Sequence, residues 1–230
     1  MREKPLSPNR PHKQILKDGK KRTASSKRWL LRQINDPYVQ NAKTEGYRSR
    51  SAYKLLDLDQ KFRLLKSGAT VIDLGAAPGG WSQVTLKKVG TKGTIIAVDL
   101  QPMEALEEGG HIIQGDFLEA ATLSKLADLL SGKKADVILS DMAAPACGMS
   151  SVDHMRIMIL LEMVYDFCFL SLKPNGAMVA KVLRGGTENV LLQKLKKHFA
   201  KVVHFKPPSS RQESSEMYLV ATGFRPDKIS

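Results

Sequence analysis

Val71-Ile72-Asp73-Leu74-Gly75-Ala76-Ala77-Pro78-Gly79-Gly80-Trp81 decides the fold. An apolar run ends in an acid, breaks into small residues, and gives way to a helical pattern from Trp81 to about Val89. This pattern predicts a buried strand, a tight turn and a helix N-terminus. In an open parallel α/β sheet, ligands bind there, beyond the carboxyl ends of the strands. Gly75, Gly79 and Gly80 predict a backbone that a ligand approaches closely. A dinucleotide fingerprint requires G-x-G-x-x-G. Here two alanines and Pro78 follow Gly75, and Pro78 has no N–H to offer a phosphate. The next apolar run, Thr94 to Val98, ends in Asp99. Asp99 stands about 20 residues past Gly79, the separation at which an acid meets ribose hydroxyls. The expected ligand has a ribose and no pyrophosphate, and S-adenosylmethionine fits. The rival reading is a glycine turn that serves packing alone.

Acids at strand ends recur outward from this unit. His111 to Gln114 reads as a strand, followed by Gly115-Asp116-Phe117. Asp116 is placed for an adenine amino group or, equally, to cap a helix over Leu118 to Leu130. Ala135 to Ser140 is the fourth strand, and Asp141 follows it before the small-residue loop Met142 to Gly148. Asp141 either faces an open site or makes a turn. A helix from Asp153 to about Leu172 is stopped by Lys173-Pro174-Asn175-Gly176. A strand from Gly176 to Val182 carries Lys181 near its exit, as a snorkelling end or a site group. A helix over Glu188 to Phe199 and a strand over Val202 to Lys206 come next. After the polar loop Pro207 to Ser215, Glu216 enters the last strand, which runs to Thr222. If that strand is antiparallel, Glu216 and Lys181 lie on the same side of the sheet. Upstream, Tyr47-Arg48-Ser49-Arg50-Ser51-Ala52-Tyr53-Lys54 opens a helix, capped by Ser49 or Ser51, with Leu55, Leu58, Phe62 and Leu65 inward. Lys54 sits at the edge of that stripe, where most lysines are merely solvated. Seven strands alternating with helices predict one doubly wound α/β domain.

Of the net charge of +13, residues 1–35 hold 11 Lys/Arg against Glu3 and Asp18, or +9. The expected organisation is a basic arm over 1–35 and a catalytic-type domain over 36–230. Such an arm predicts a polyanionic partner, nucleic acid rather than membrane, against the plain alternative of a solvated tail. Lys27-Arg28-Trp29-Leu30-Leu31-Arg32 reads as a short amphipathic helix lying on RNA or on the domain. The two cysteines, Cys147 and Cys168, form no C-x-x-C, which predicts a reducing cytoplasm. No apolar leader opens the chain, and Ile157 to Leu172 is interrupted by Glu162 and Asp166, as in a core helix. His12, His111, His154, His198 and His204 show no ligand spacing, so no metal is expected.

Asp73 to Trp81, with Tyr47-Arg48-Ser49-Arg50 and Ser215-Glu216-Met217-Tyr218-Leu219-Val220-Ala221-Thr222-Gly223, closely resembles the FtsJ-like family of ribose 2′-O-methyltransferases. Within it, the chain looks most like the bacterial enzymes acting on uridine in large-subunit ribosomal RNA. The resemblance covers about Asp36 to Phe224. It implies a seven-stranded, Rossmann-like methyltransferase fold whose last strand is antiparallel, with S-adenosylmethionine as cofactor. The family's Lys-Asp-Lys-Glu catalytic set falls on Lys54, Asp141, Lys181 and Glu216. Methyl-donor contacts fall on Gly79, Trp81, Asp99, Asp116 and Asp141. One departure stands out: relatives often carry Asp-Met-Ala-Pro-Asn, whereas here Asp141-Met142-Ala143-Ala144-Pro145-Ala146 displaces the proline and lacks the asparagine. The implied partner is ribosomal RNA in the large subunit. No long exposed apolar stripe in the sequence demands a dimer, so a monomer is expected.

For the mechanism, Lys181 is expected to accept the hydroxyl proton, which a lysine does only in its neutral form. Asp141 would orient it, and Glu216 would hold the hydroxyl or Lys54. Arg48, Arg50, Arg184 and Arg211 are expected to join the arm on RNA phosphates. Rival classes are a non-catalytic ribosome-assembly factor, a nicotinamide dehydrogenase disfavoured by the missing glycine, and a methyltransferase for transfer RNA. Deleting residues 1–35 should weaken RNA binding and flatten the plot of log affinity against log salt, by about 0.7–0.9 for each phosphate that the arm neutralises. An unchanged slope in filter-binding titrations removes the arm from the interface.

Overall fold

The computed structural model describes residues 23–144, 147–185, 187 and 189–226. Most of the expected basic arm (1–22), Pro145, Ala146 and Glu188 lie outside the described residues. The strands are β1 (Thr70–Leu74), β2 (Thr94–Asp99), β3 (Gly110–Gln114), β4 (Ala135–Ser140), β5 (Leu172–Leu183), β6 (Phe199–Phe205) and β7 (Glu216–Phe224). They form one sheet in the order β3-β2-β1-β4-β5-β7-β6. β1 to β5 pair in parallel, and β7 is antiparallel to both β5 and β6. The strand order reverses at β1, which lies between β2 and β4, and an open sheet of this type leaves a crevice at such a point.

Helices cover both faces, so the central strands are apolar throughout rather than alternating. Val71, Ile95, Val137, Leu139 and Val179 face α3 (Ala52–Phe62) and α4 (Gly80–Val89). Ile72, Leu74, Ile96, Ile138 and Met178 face the opposite way, toward α5 (Ala120–Leu130), α6 (Ser150–Ser171) and α7 (Asn189–His198). On α6, Ile157, Leu161, Val164 and Cys168 recur at helical spacing and are buried against the sheet.

Several boundaries differ from the sequence expectation for local reasons. The helix expected from Tyr47 begins at Ala52 instead, and Arg48 N–H, in the turn before it, donates to Gln83 Oε1 at 2.8 Å. Ser49 and Ser51 bond each other at 2.6 Å, and Ser51, the N-cap, makes no side-chain cap. α6 ends at Ser171, where the stop at Lys173 to Gly176 predicts, but the strand begins at Leu172 rather than Gly176, and those four residues form a bulge inside β5. Pairing with β4 jumps from Ala135↔Leu172 to Val137↔Ala177, with Asn175 in the left-handed region to turn the extra residues outward. The short helix expected around Lys27 to Arg32 is α1 (Ala24–Ile34), joined to α2 (Pro37–Thr44), whose N-cap Asp36 accepts from Tyr38 N–H.

Asp73 is the buried oddity of β1. It is fully enclosed; Oδ2 accepts from Ser82 Oγ at 2.7 Å and Oδ1 has no partner. Burial pushes its pKa up to about 7, with Asp141 and Asp99 adding repulsion. A raised folded-state pKa contributes stability that is complete below the unfolded value near 4 and is lost as pH rises toward 7. Wild-type stability should therefore fall, relative to Asp73→Asn, by on the order of a few kcal/mol between about pH 4 and pH 7, then run parallel to it. Urea unfolding of both proteins across that range measures the difference; a flat difference would mean that Asp73 is ionised in the fold.

Candidate active site

Antiparallel pairing sets the site. Leu183 opposes Glu216 and Lys181 opposes Tyr218, so the start of β7 lies beside the end of β5. Asp141 follows β4 directly, and α3 brings Lys54 in its first turn. The four predicted catalytic side chains meet there. Lys54 Nζ lies 2.9 Å from Glu216 Oε2, and Glu216 Oε1 lies 3.8 Å from Lys181 Nζ. Lys181 Nζ in turn lies 2.9 Å from Asp141 Oδ1 and donates to the Asp141 carbonyl at 2.8 Å. The Lys181 side chain is only 8% exposed. Charges alternate along this chain, and each cation is buried against an anion, as low dielectric demands. Burial pushes the Glu216 carboxyl up, but Lys54 and Lys181 outweigh burial and hold it below the ordinary carboxylate range.

Tyr218, which sequence reasoning alone misses, completes the group. Its hydroxyl donates to Asp141 Oδ1 at 2.6 Å. Burial, then Asp141, pushes the phenol well above its usual value, so it stays an O–H donor. Asp141 Oδ1 thus carries both Lys181 and Tyr218, which leaves Oδ2 for a ligand. A signal exists in the sequence: Tyr218 is two residues from Glu216 on one strand, so the two share a face.

Two hollows meet at this chain. One, of about 590 Å³, is lined by Lys54, Lys181 and Glu216, with Ser51 and with Arg32 and Gln33 of α1. The other, of about 500 Å³, is lined by Gly75, Asp99, Asp116, Phe117, Asp141 and Met142. Lys181 lines the first and Asp141 the second, so their contact forms part of the partition. Asp99 and Asp116 both face the second hollow while shaping its rim. Asp99 accepts from Ala77 N–H and Gln101 N–H, each at 2.8 Å, and Asp116 Oδ1 accepts from Leu118 N–H at 3.0 Å. Each carboxylate retains lone pairs for a ligand. The turn role and the ligand role of Asp116 are therefore compatible.

Gly79 and Trp81 are placed differently from Asp99, Asp116 and Asp141. Neither lines the second hollow. Trp81 is 2% exposed, packs on Tyr218 with ring centroids 5.4 Å apart, and donates from Nε1 to the Ser51 carbonyl at 2.9 Å. It thereby fixes the turn that presents Lys54. Of the three glycines expected to let a ligand near the backbone, Gly75 lines the second hollow, and protein side chains pack against all three. A Cβ at Gly75 would lie 2.6 Å from Met142 Cγ, at Gly79 2.8 Å from Arg48 Nη1, and at Gly80 2.3 Å from Ser49 Oγ. The glycines admit protein side chains, and the hollow opens beside them, at the backbone of Gly75 and Ala77.

Arg48 is likewise not free for RNA. Its guanidinium donates to the carbonyls of Glu104 (2.9 Å) and Ala105 (2.6 Å), strapping the β2–β3 connection across the glycine turn. Arg50 and Arg211 both pair with Asp36 Oδ2. Among the described residues no group of His, Cys, Asp and Glu is arranged to hold a metal ion.

A sequence model of the FtsJ-like methyltransferases matches residues 47–224. The ribosomal RNA large subunit methyltransferase E of Azorhizobium caulinodans is 49% identical over 229 residues, covering 98% of this chain and 95% of that protein. The protein of the same name from Novosphingobium aromaticivorans is 52% identical over 223 residues, covering 96% and 99%. Among solved structures, a Plasmodium falciparum chain described as a candidate ribosomal RNA methyltransferase superposes with a TM-score of 0.69 at 34% identity, over 77% of this chain and 98% of that one. A chain of a fibrillarin/Nop5p complex, at 21% identity and a TM-score of 0.50, covering 75% and 83%, shares the fold alone.

Cutting the Arg48 strap should loosen the hollow at Gly75 and Asp99. Arg48→Ala is expected to raise the dissociation constant for S-adenosylmethionine about tenfold, the loss of on the order of one charged hydrogen bond. Arg48→Lys should fail to restore it, because an ammonium lacks the fork that spans two carbonyls. Isothermal titration checks both; wild-type affinity in either variant makes the strap dispensable.

Proposed function

The chain belongs to the FtsJ-like methyltransferase family, and from that premise we propose that it methylates the ribose 2′-hydroxyl of a uridine in large-subunit ribosomal RNA. The donor is S-adenosylmethionine, the substrate the assembled subunit, and the setting the cytoplasm. One observation carries the reading: Lys54, Asp141, Lys181 and Glu216 converge at the partition between two hollows, one for each reactant. The relatives' named substrate and the net charge of +13 support the choice of RNA.

The donor hollow suits the proposed cofactor. Asp99, Asp116 and Asp141 line it, and among the described residues no lysine or arginine does. Three carboxylates disfavour a pyrophosphate and favour a sulfonium cation, an amine and ribose hydroxyls. Asp99 would hold the ribose, Asp116 with Phe117 the adenine, and Asp141 Oδ2 the cationic end. When bound, the cofactor supplies an activated methyl group.

The acceptor side must place a hydroxyl oxygen in line with that methyl and take up its proton. Alignment alone can supply roughly 7–11 kcal/mol of a barrier. Glu216, kept ionised by two lysines, accepts from the ribose or fixes Lys54. Paired with Asp141, Lys181 is an ammonium and must first give up a proton to solvent; in its neutral form it then accepts the hydroxyl proton as the new oxygen–carbon bond forms, a bond that makes the hydroxyl strongly acidic. Asp141, through its carboxylate and its own carbonyl, aims the Lys181 nitrogen. Tyr218 holds the carboxylate still.

Two experiments test this. Mapping 2′-O-methyl groups in RNA from cells with and without the protein should show one methyluridine lost from large-subunit RNA; loss from transfer RNA instead would reassign the substrate. Lys181→Ala should lower turnover by about 10²–10⁴-fold, the usual worth of a general base, while donor affinity stays within about twofold. Lys181→Arg should not rescue it, since a guanidinium cannot accept a proton. Wild-type turnover in either variant removes Lys181 from the mechanism.

A further inference from the structure

A third hollow, of about 580 Å³, adjoins the acceptor site and shares Arg32, Arg50, Arg211 and Glu213 with it. One side is apolar: Leu31 of α1 and Pro37 and Tyr38 of α2. The other side is the turn at Ser209 and Ser210. Those serines are 1% and 7% exposed, yet neither hydroxyl has a partner, and the Nε–H of Arg50 has none either. Buried donors are almost always satisfied in folded proteins. These groups lie just beneath the wall of the hollow, where a serine hydroxyl can meet an acceptor in the hollow by turning about its Cα–Cβ bond, whereas the Arg50 Nε is held in place by the partners of its guanidinium.

Charge is arranged differently along the border between this hollow and the acceptor site. Arg50 and Arg211 share the single carboxylate of Asp36, so one positive charge is left over where the hollows join, and Arg32 adds another beside it. Glu213 offsets part of this excess. An anion is favoured at the border, whereas a flat group with apolar faces and carbonyl acceptors is favoured in the hollow. A strand of RNA presents these in that order: ribose, phosphodiester, next base.

We propose that this third hollow receives the base of the nucleotide next to the methylated one, a keto base whose oxygens take the hydroxyls of Ser209 and Ser210 as those side chains turn toward it. The inference rests on the function proposed above. It adds a specificity subsite on one side of the target only, because the hollow adjoins the acceptor site on one side. The flanking base is splayed from its stack and held against Leu31, Pro37 and Tyr38, as single-stranded RNA commonly is on protein.

The test uses the full chain and a fluorescent RNA stem-loop containing the target uridine, with each flanking nucleotide made abasic in turn. Removing the base on one side should weaken binding about tenfold, the worth of one seated base, and removing the other should change little. Leu31→Trp, at an exposed helix position, fills the hollow. It should bind all three RNAs with the same weakened affinity, while affinity for S-adenosylmethionine is unchanged. Ser210→Ala, which deletes a hydroxyl that holds nothing in the protein, should weaken binding of the intact RNA several-fold, about the worth of one hydrogen bond. Equal losses on both flanks, or wild-type binding by Leu31→Trp, overturn the subsite. Transfer of labelled methyl to isolated large subunits by the wild-type protein is run in parallel. Transfer without a flank effect defeats only the subsite, and absence of transfer defeats the proposed function beneath it.

Discussion

The contact between Lys181 and Asp141 is the constraint on which the rest of the site depends. A buried ammonium is tolerable only when countered at close range, and Asp141 counters it from the end of a neighbouring strand. The two residues are 40 positions apart in sequence but emerge from the adjacent strands β4 and β5. Their meeting fixes the register of the acceptor side against the donor side. Tyr218 and Glu216 then have defined places, because the register of β7 on β5 sets Tyr218 opposite Lys181 and Glu216 opposite Leu183.

Much of this was legible in the sequence, and the reasons are local. Strand ends marked by Asp73, Asp99 and Asp141 announce themselves because an acid after an apolar run is costly unless it reaches an edge or a ligand. Family motifs then attached chemistry to Lys54, Asp141, Lys181 and Glu216, and the topology gathered them. What stayed hidden was set by partners distant in the chain. Arg48 looks like any exposed cation until the carbonyls of Glu104 and Ala105 are seen beneath it. Gly75, Gly79 and Gly80 look like a ligand cradle because a missing side chain does not say what fills the space. Here Met142, Arg48 and Ser49 fill it. Asp73, the acid that ends the first apolar run, is enclosed and accepts from Ser82 of α4, a partner that the sequence does not reveal.

The segment from Tyr47 to Lys54 links the two halves of the site. Its first arginine holds the wall of the donor hollow and its second holds the wall of the acceptor hollow, through Asp36 and the carbonyl of Ser209. Lys54 follows one helical turn later, its position fixed by the indole of Trp81 on Ser51. A disturbance at either hollow is therefore transmitted to Lys54 through a few hydrogen bonds and one rigid turn.

The position of β7 has a consequence for how the molecule is made. It lies between β5 and β6 although it follows both in the chain. Until it inserts, β5 presents a bare edge and β6 has no neighbour to hold it, so both are open to pairing with other chains. The strand that closes this gap also delivers Glu216 and Tyr218. Until the C-terminal strand docks, the sheet is incomplete and the candidate site lacks two of its side chains, so the closing of the fold and the assembly of the site are one event.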